Sequence, residues 1–240
     1  MSGWFSRGVF PRFVAIVCAA APASQVKAVP ITFSAWDGTR QASATFDASG
    51  ADLIVTLANT SSGDVLVPAD VLTALFFDVN DGPLTLTRGS AIVPGGSSVL
   101  FGGTDPGGVI GGEWAYRGGL VGPDGAAYGI SAAGLGLFGS SDVFPGSNLQ
   151  GPADPDGLQY GISSAGDNPA TGNAAVTGLF ALVKNTVEFR LSGLPTGFDP
   201  SQSISNVQWQ YGTALDEPRI PEPACLLLLA LAGVVGWRRR

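Results

Sequence analysis

Histidine is absent from the chain, and its 240 residues include only two cysteines and twelve Lys or Arg. Without histidine, no Ser-His-Asp or Cys-His nucleophile can form, and an ordinary catalytic zinc site loses its commonest ligand. Charge is scarce, at 13% of residues, and biased. Nineteen acidic side chains leave a formal net charge of −7 and a pI near 4.4. A nucleic-acid surface needs clustered cations to displace counterions, so this composition excludes one. Gly-x-Ser-x-Gly elbows, P-loops and dinucleotide fingerprints are missing as well. What the chain does hold in quantity is glycine and proline, 35 and 17 residues.

The few cations concentrate at the ends. Between residues 29 and 220, six basic side chains stand against eighteen acidic ones, a formal charge of −12. Arg7 and Arg12 precede an apolar stretch from Phe13 to Ala21, and Pro22 breaks it. Val26-Lys27-Ala28 then offers modest or small residues at the −3 and −1 positions of a cleavage site. This predicts a signal peptide over 1–28 cut after Ala28, with Ala23 as the alternative. A buried helix and a lipoprotein acylated at Cys18 compete with it. Acylation wants a small residue where bulky Val17 stands.

At the other end, Pro221-Glu222-Pro223 precedes an apolar run from Ala224 to Trp237, followed by Arg238, Arg239 and Arg240. The closely spaced prolines stop any preceding regular element. As a helix the run would reach only about 21 Å, against roughly 30 Å of hydrocarbon. Length alone favours a buried helix. The arginine cluster favours a membrane segment, because long stems snorkel and a cationic end stays cytoplasmic. Cys18 and Cys225 both fall in these terminal segments. The 29–220 body therefore has no disulfide and relies on its core, which a segment of that length can build.

The order Pro-Glu-Pro, apolar helix, basic cluster resembles the PEP-CTERM sorting signal and covers Pro221 to Arg240. The resemblance implies recognition by an exosortase, a membrane protease of Gram-negative bacteria that cuts near the motif. It further implies an exported precursor tethered in the inner membrane, then a product at the cell surface or outside it. Three segments follow: a signal peptide at 1–28, an exported β-rich domain at 29–220, and a sorting segment at 221–240 with its apolar helix at 224–237.

Within the body, apolar residues alternate over Ile31–Trp36, Ala42–Phe46, Asp52–Ala58 and Val207–Tyr211, the last being the expected final strand. Leu72–Val79 is a near-continuous apolar run. Ser97–Phe101, Glu113–Tyr116 and Tyr128–Ser131 are shorter candidates. Leu179–Val183 and Val187–Leu191 flank Lys184-Asn185-Thr186 and read as a hairpin. No helical face of useful length occurs between 29 and 220. The expectation is a mostly-β, sandwich-like antiparallel domain with Gly-rich loops, flanked by an N-terminal signal helix and a C-terminal hydrophobic helix. The span Gly102–Gly172 is the richest in glycine and reads as an ordered loop system, since its aromatic residues need packing.

Pro123–Gly134 repeats as Pro155–Gly166, with nine of twelve positions identical. Each copy is a Pro-Asp-Gly turn followed by a short Tyr-x-Ile strand. Two packed hairpin halves explain it; a paired ligand site using Tyr128 and Tyr160 is the functional alternative. The body also resembles the XDD-type exosortase-dependent surface proteins in Val67–Thr73, Gly111–Tyr116, Phe144–Pro152 and Asp156–Ile162. That resemblance carries no catalytic residues.

No cofactor is expected. Calcium is the candidate ligand considered, through Asp78, Asn80 and Asp81 or through Asp154 and Asp156, oxygen donors on turns that solvation alone also explains. A glycosidase would need two carboxylates in one cleft; Glu113 and Glu188 are the glutamates well inside the body, and Glu113 with any nearby Asp could also serve. The expected function is non-enzymatic: an exported surface or matrix protein, processed by an exosortase and associated with exopolysaccharide or biofilm. The alternative is a carbohydrate-binding module that stacks sugars on exposed Trp36, Trp114 or Trp209. Exposure of these rings separates the two.

Overall fold

The computed structural model describes residues 28–139, 147–151 and 153–223. The expected 1–28 signal peptide, apart from Ala28, lies outside the described residues, as do the apolar helix at 224–237 and Arg238–Arg240. Among those described, no helix is long and apolar enough to cross a membrane.

Three strands open the fold: β1 (Ile31–Asp37), β2 (Arg40–Ser49) and β3 (Asp52–Asn59). Two-residue loops join them, led by Gly38 and Gly50 at φ +59° and +65°. A glycine at that position admits the hairpin turn whose twist suits right-handed strands. Along β2 and β3 the side chains Ala42, Ala44, Phe46, Leu53, Val55 and Leu57 are buried while their neighbours face outward. This is the period of two that one covered face imposes.

β4 (Leu72–Val79) differs. Six consecutive residues, Leu72–Phe77, are buried. β5 (Thr87–Ile92), β6 (Ser98–Leu100), β7 (Ala115–Gly118), β8 (Tyr128–Ser131), β9 (Ile162–Ser163), β10 (Leu182–Lys184) and β11 (Thr186–Ser192) follow. One helical turn, α1 (Pro200–Ser203), precedes β12 (Ile204–Tyr211) and β13 (Arg219–Pro221). The fold is mostly β, as the alternation predicts.

The strands form two sheets. One runs β1-β2-β3-β11-β5; the other runs β13-β12-β4-β9-β10-β6, with β8 beside β4 and β7 beside β8. Pairing is antiparallel except between β9 and β10, which are parallel. The sheets share one core. Phe46 of β2 meets Phe77 of β4 edge-on, with ring centroids 5.2 Å apart. The outer face of β4 is covered too: Phe76 packs with Ala126, Ala133, Leu135 and Phe138 from the Gly-rich span. That second cover explains why β4 reads as an apolar run.

β12 occupies one edge of β4, so β8 and β9 share the other. The two copies of the internal repeat therefore line up along a single strand: Ile130 opposite Leu75, and Ile162 opposite Leu72.

Two expectations need correction. The residues around Asn185 do not form a hairpin. β10 pairs with β6 and β9, while β11 pairs with β3 and β5 in the other sheet. Asn185, at φ +86°, is the single residue between them, and it turns the chain from one sheet to the other. Asparagine tolerates that left-handed backbone better than most residues. Nor is β12 the last strand, because β13 adds one more antiparallel partner at its edge.

Candidate functional site

Two segments singled out in the sequence, Gly111–Tyr116 and Asp156–Ile162, border one cavity. Gly111 lies so close to Gln150, and Gly112 so close to Ala153, that a Cβ at either glycine would collide. The main chain then locks: Gln150 N–H donates to Gly111 O at 2.9 Å, and Leu149 N–H to Trp114 O at 2.8 Å. Trp114 Nε1 donates to Tyr160 O at 3.1 Å, and Tyr160 hydroxyl to Gly103 O at 2.8 Å. Between these segments sits a cavity of about 310 Å³, lined by residues that include Thr104, Asp105, Ile110, Glu113, Ala153 and Tyr160.

None of the cavity's lining residues is basic. Burial, followed by repulsion from Asp156, Asp154 and Asp105, pushes the Glu113 carboxyl from 4.5 up to about 7. Burial also raises Asp156, against a lowering bond from Gln159. Buried oxygens of Glu113, Asp156 and Gln150 have no hydrogen-bond partner within the protein. A carboxyl poised near neutrality can act as donor or acceptor toward a polar molecule. The acidic neighbours of Glu113 are thus aspartates rather than Glu188. Glu188 sits on β11 opposite Thr56 and Ile92 in the other sheet. Asp105 was missed in the sequence, where it reads as ordinary turn material.

The other candidates have structural partners. Asp78 accepts from Ala127 N–H at 2.7 Å and from Asn206 Nδ2 at 2.8 Å. Asn80 Oδ1 accepts from Ser205 Oγ at 2.9 Å, and Asp81 accepts from Ser203 Oγ. These side chains tie the end of β4 to the start of β12. Among the described residues, no group of three or more His, Cys, Asp or Glu is disposed to hold a metal. Tyr128 and Tyr160 do not form a pair: Tyr128 stacks on Phe77 at 5.5 Å, while Tyr160 borders the cavity.

The tryptophan platform is corrected most sharply. Trp114 and Trp209 are wholly buried, and of the three proposed rings only Trp36, on edge strand β1, is exposed, at 70%. Rings that fill the shared core cannot stack a sugar.

Pro221-Glu222-Pro223 begins inside the sheet, with its main chain held against β12. Pro221 belongs to β13 opposite Gln208, and Glu222 N–H donates to Val207 O at 2.8 Å. Comparison of the chain with protein-family models, with curated proteins and with solved structures gives no match.

Proposed function

We propose that this protein is a non-enzymatic exported surface or extracellular-matrix protein, sorted to its destination and associated with exopolysaccharide or biofilm. In this reading the signal peptide, cut after Ala28, carries the body across the inner membrane. The apolar segment at 224–237 halts there, and Arg238, Arg239 and Arg240 stay cytoplasmic. Each would cost about 2.5–3.5 kcal/mol at the bilayer centre. An exosortase then cuts near Pro221-Glu222-Pro223 and frees the body.

One observation carries this reading. A cysteine-free, two-sheet body ends in a strand that runs directly into Pro221-Glu222-Pro223, ahead of the apolar and basic run. A body built this way folds in an oxidising compartment without pairing thiols. The burial of Trp114 and Trp209 removes the row of rings that the carbohydrate-binding alternative needs. The test is cell fractionation with mass spectrometry in hosts with and without the exosortase. Loss of 224–240 only in the exosortase-positive host is expected. Retention of 224–240 there would replace the sorting reading with a plain C-terminal anchor.

A further inference from the structure

The Pro-Glu-Pro segment is built into the sheet through three kinds of contact. First, its main chain is paired. Tyr211 N–H donates to Pro218 O at 3.0 Å and Glu222 N–H to Val207 O at 2.8 Å, so residues 218 and 222 face β12. In a strand this direction alternates, so the nitrogen of Pro221 faces away from β12. The missing N–H therefore costs no ladder bond. It also removes a donor from the outer edge, where an exposed strand would otherwise recruit another chain.

Second, β13 has an apolar anchor, since Ile220 is 3% exposed and belongs to the shared core. Third, the Glu222 side chain fills a gap. The pairing of β12 with β4 shifts register between Ser205 and Gln208, and Asn206 within that bulge has φ +51°. Glu222 Oε1 accepts from the Asn206 main-chain N–H at 3.2 Å. A bulge commonly leaves its extra residue outside the ladder, and here the motif glutamate serves that residue. The approach to β13 is also held: Glu217 accepts from the N–H groups of Thr213 and Ala214, and Gln210 Nε2 donates to Glu217 O at 3.1 Å.

We propose that the folded body withholds Pro221-Glu222 from the sorting protease, so that processing waits on release of β13 from β12. The proposal rests on the sorting reading above. A protease cleft takes an extended chain by its own N–H and C=O groups, and here those of Glu222 and Pro218 face β12. Cleavage then follows the population of the locally opened state, set by the packing of Ile220 and the turn held by Glu217.

The test uses the full chain, with two readouts. In detergent micelles, trypsin reports opening at the Arg219–Ile220 bond, resolved by mass spectrometry. In cells with and without the exosortase, pulse-chase reports loss of the tail. Ile220→Ala removes the anchor. Glu217→Ala loosens the turn and leaves residues 219–223 unchanged, so it serves even if the first variant folds poorly. Both are expected to speed tryptic cleavage and exosortase-dependent processing together, by about tenfold for each 1.4 kcal/mol of lost local stability. Wild-type cleavage at Arg219–Ile220 as fast as in urea-unfolded chain overturns the proposal. So do variants that speed trypsin but leave processing at the wild-type rate. If wild type and variants all keep their tails in both hosts while trypsin protection holds, the sorting reading itself fails, and the gate with it.

Discussion

The indole of Trp114 meets the ring of Phe189 edge-on, with centroids 4.9 Å apart and planes at 63°. This contact joins the Gly-rich span, which carries Trp114, to β11 of the five-stranded sheet. Edge-to-face pairs add about 0.5–1.5 kcal/mol beyond their buried area. Trp114→Ala should therefore destabilise the body by about 3–5 kcal/mol and loosen the cavity wall, since Tyr160 O also loses its donor. Thermal unfolding followed by circular dichroism checks the first effect. A loss under 1 kcal/mol would show that the contact carries little.

The Glu113 carboxyl makes stability depend on pH. Its folded value, about 7, exceeds its ordinary 4.5, so between these values the folded state binds more protons than the unfolded one. Stability contributed by the neutral acid is present at low pH and is lost as pH rises from about 4.5 through 7. Asp156, raised by burial, acts with the same sign. Glu113→Gln should flatten this slope and raise the melting temperature at pH 8 relative to wild type. Urea midpoints measured from pH 5 to pH 8 decide it; an unchanged slope in the variant would refute the assignment.

Asn185 turns the chain between sheets at φ +86°, its N–H donating to Ser163 O at 3.0 Å and its carbonyl accepting from Asn59 N–H at 3.1 Å. Glycine keeps both main-chain bonds and admits the backbone. Asn185→Gly should stay within a few tenths of a kcal/mol of wild type, while Asn185→Val should lose about 1–3 kcal/mol through backbone strain. Chemical denaturation of the two variants side by side tests this; equal stability would contradict it.

β13 crosses the expected boundary at 220: Pro221 lies opposite Gln208, and Ile220 is buried in the shared core. A 29–223 fragment should unfold as mostly-β protein, unaffected by reductant because it contains no cysteine. Ending the fragment at Pro218 exposes the surface that Ile220 covers and should cost about 1.5–3 kcal/mol. Two fragments with the same melting temperature would mean that β13 contributes nothing to the body.

Trp36 offers the one test of sugar stacking left to the three proposed rings. Titration of exopolysaccharide should leave its fluorescence unchanged, and Trp36→Ala should alter stability by less than about 0.5 kcal/mol, as for surface sites generally. Quenching that Trp36→Ala abolishes would favour the carbohydrate-binding alternative.

Residue order alone was enough for the strands with one wet face. Phe46 and Leu57 sit at alternating positions because burial on one side of a pleated strand selects every second residue. The same local logic marks the absence of helical faces. β5 and β13 escaped because Arg88-Gly89-Ser90 and Pro221 lack that alternation; their pairing comes from neighbours, not from their own pattern. That β10 and β11 belong to different sheets was equally hidden, since Lys184-Asn185-Thr186 suits a hairpin as well as a crossover. Only the fold could decide that Trp114 and Trp209 are core, that Glu113 and Tyr160 line one cavity, and that Glu222 caps Asn206. These are contacts between residues far apart in the chain, fixed by how two sheets close on one core, and no local pattern encodes them.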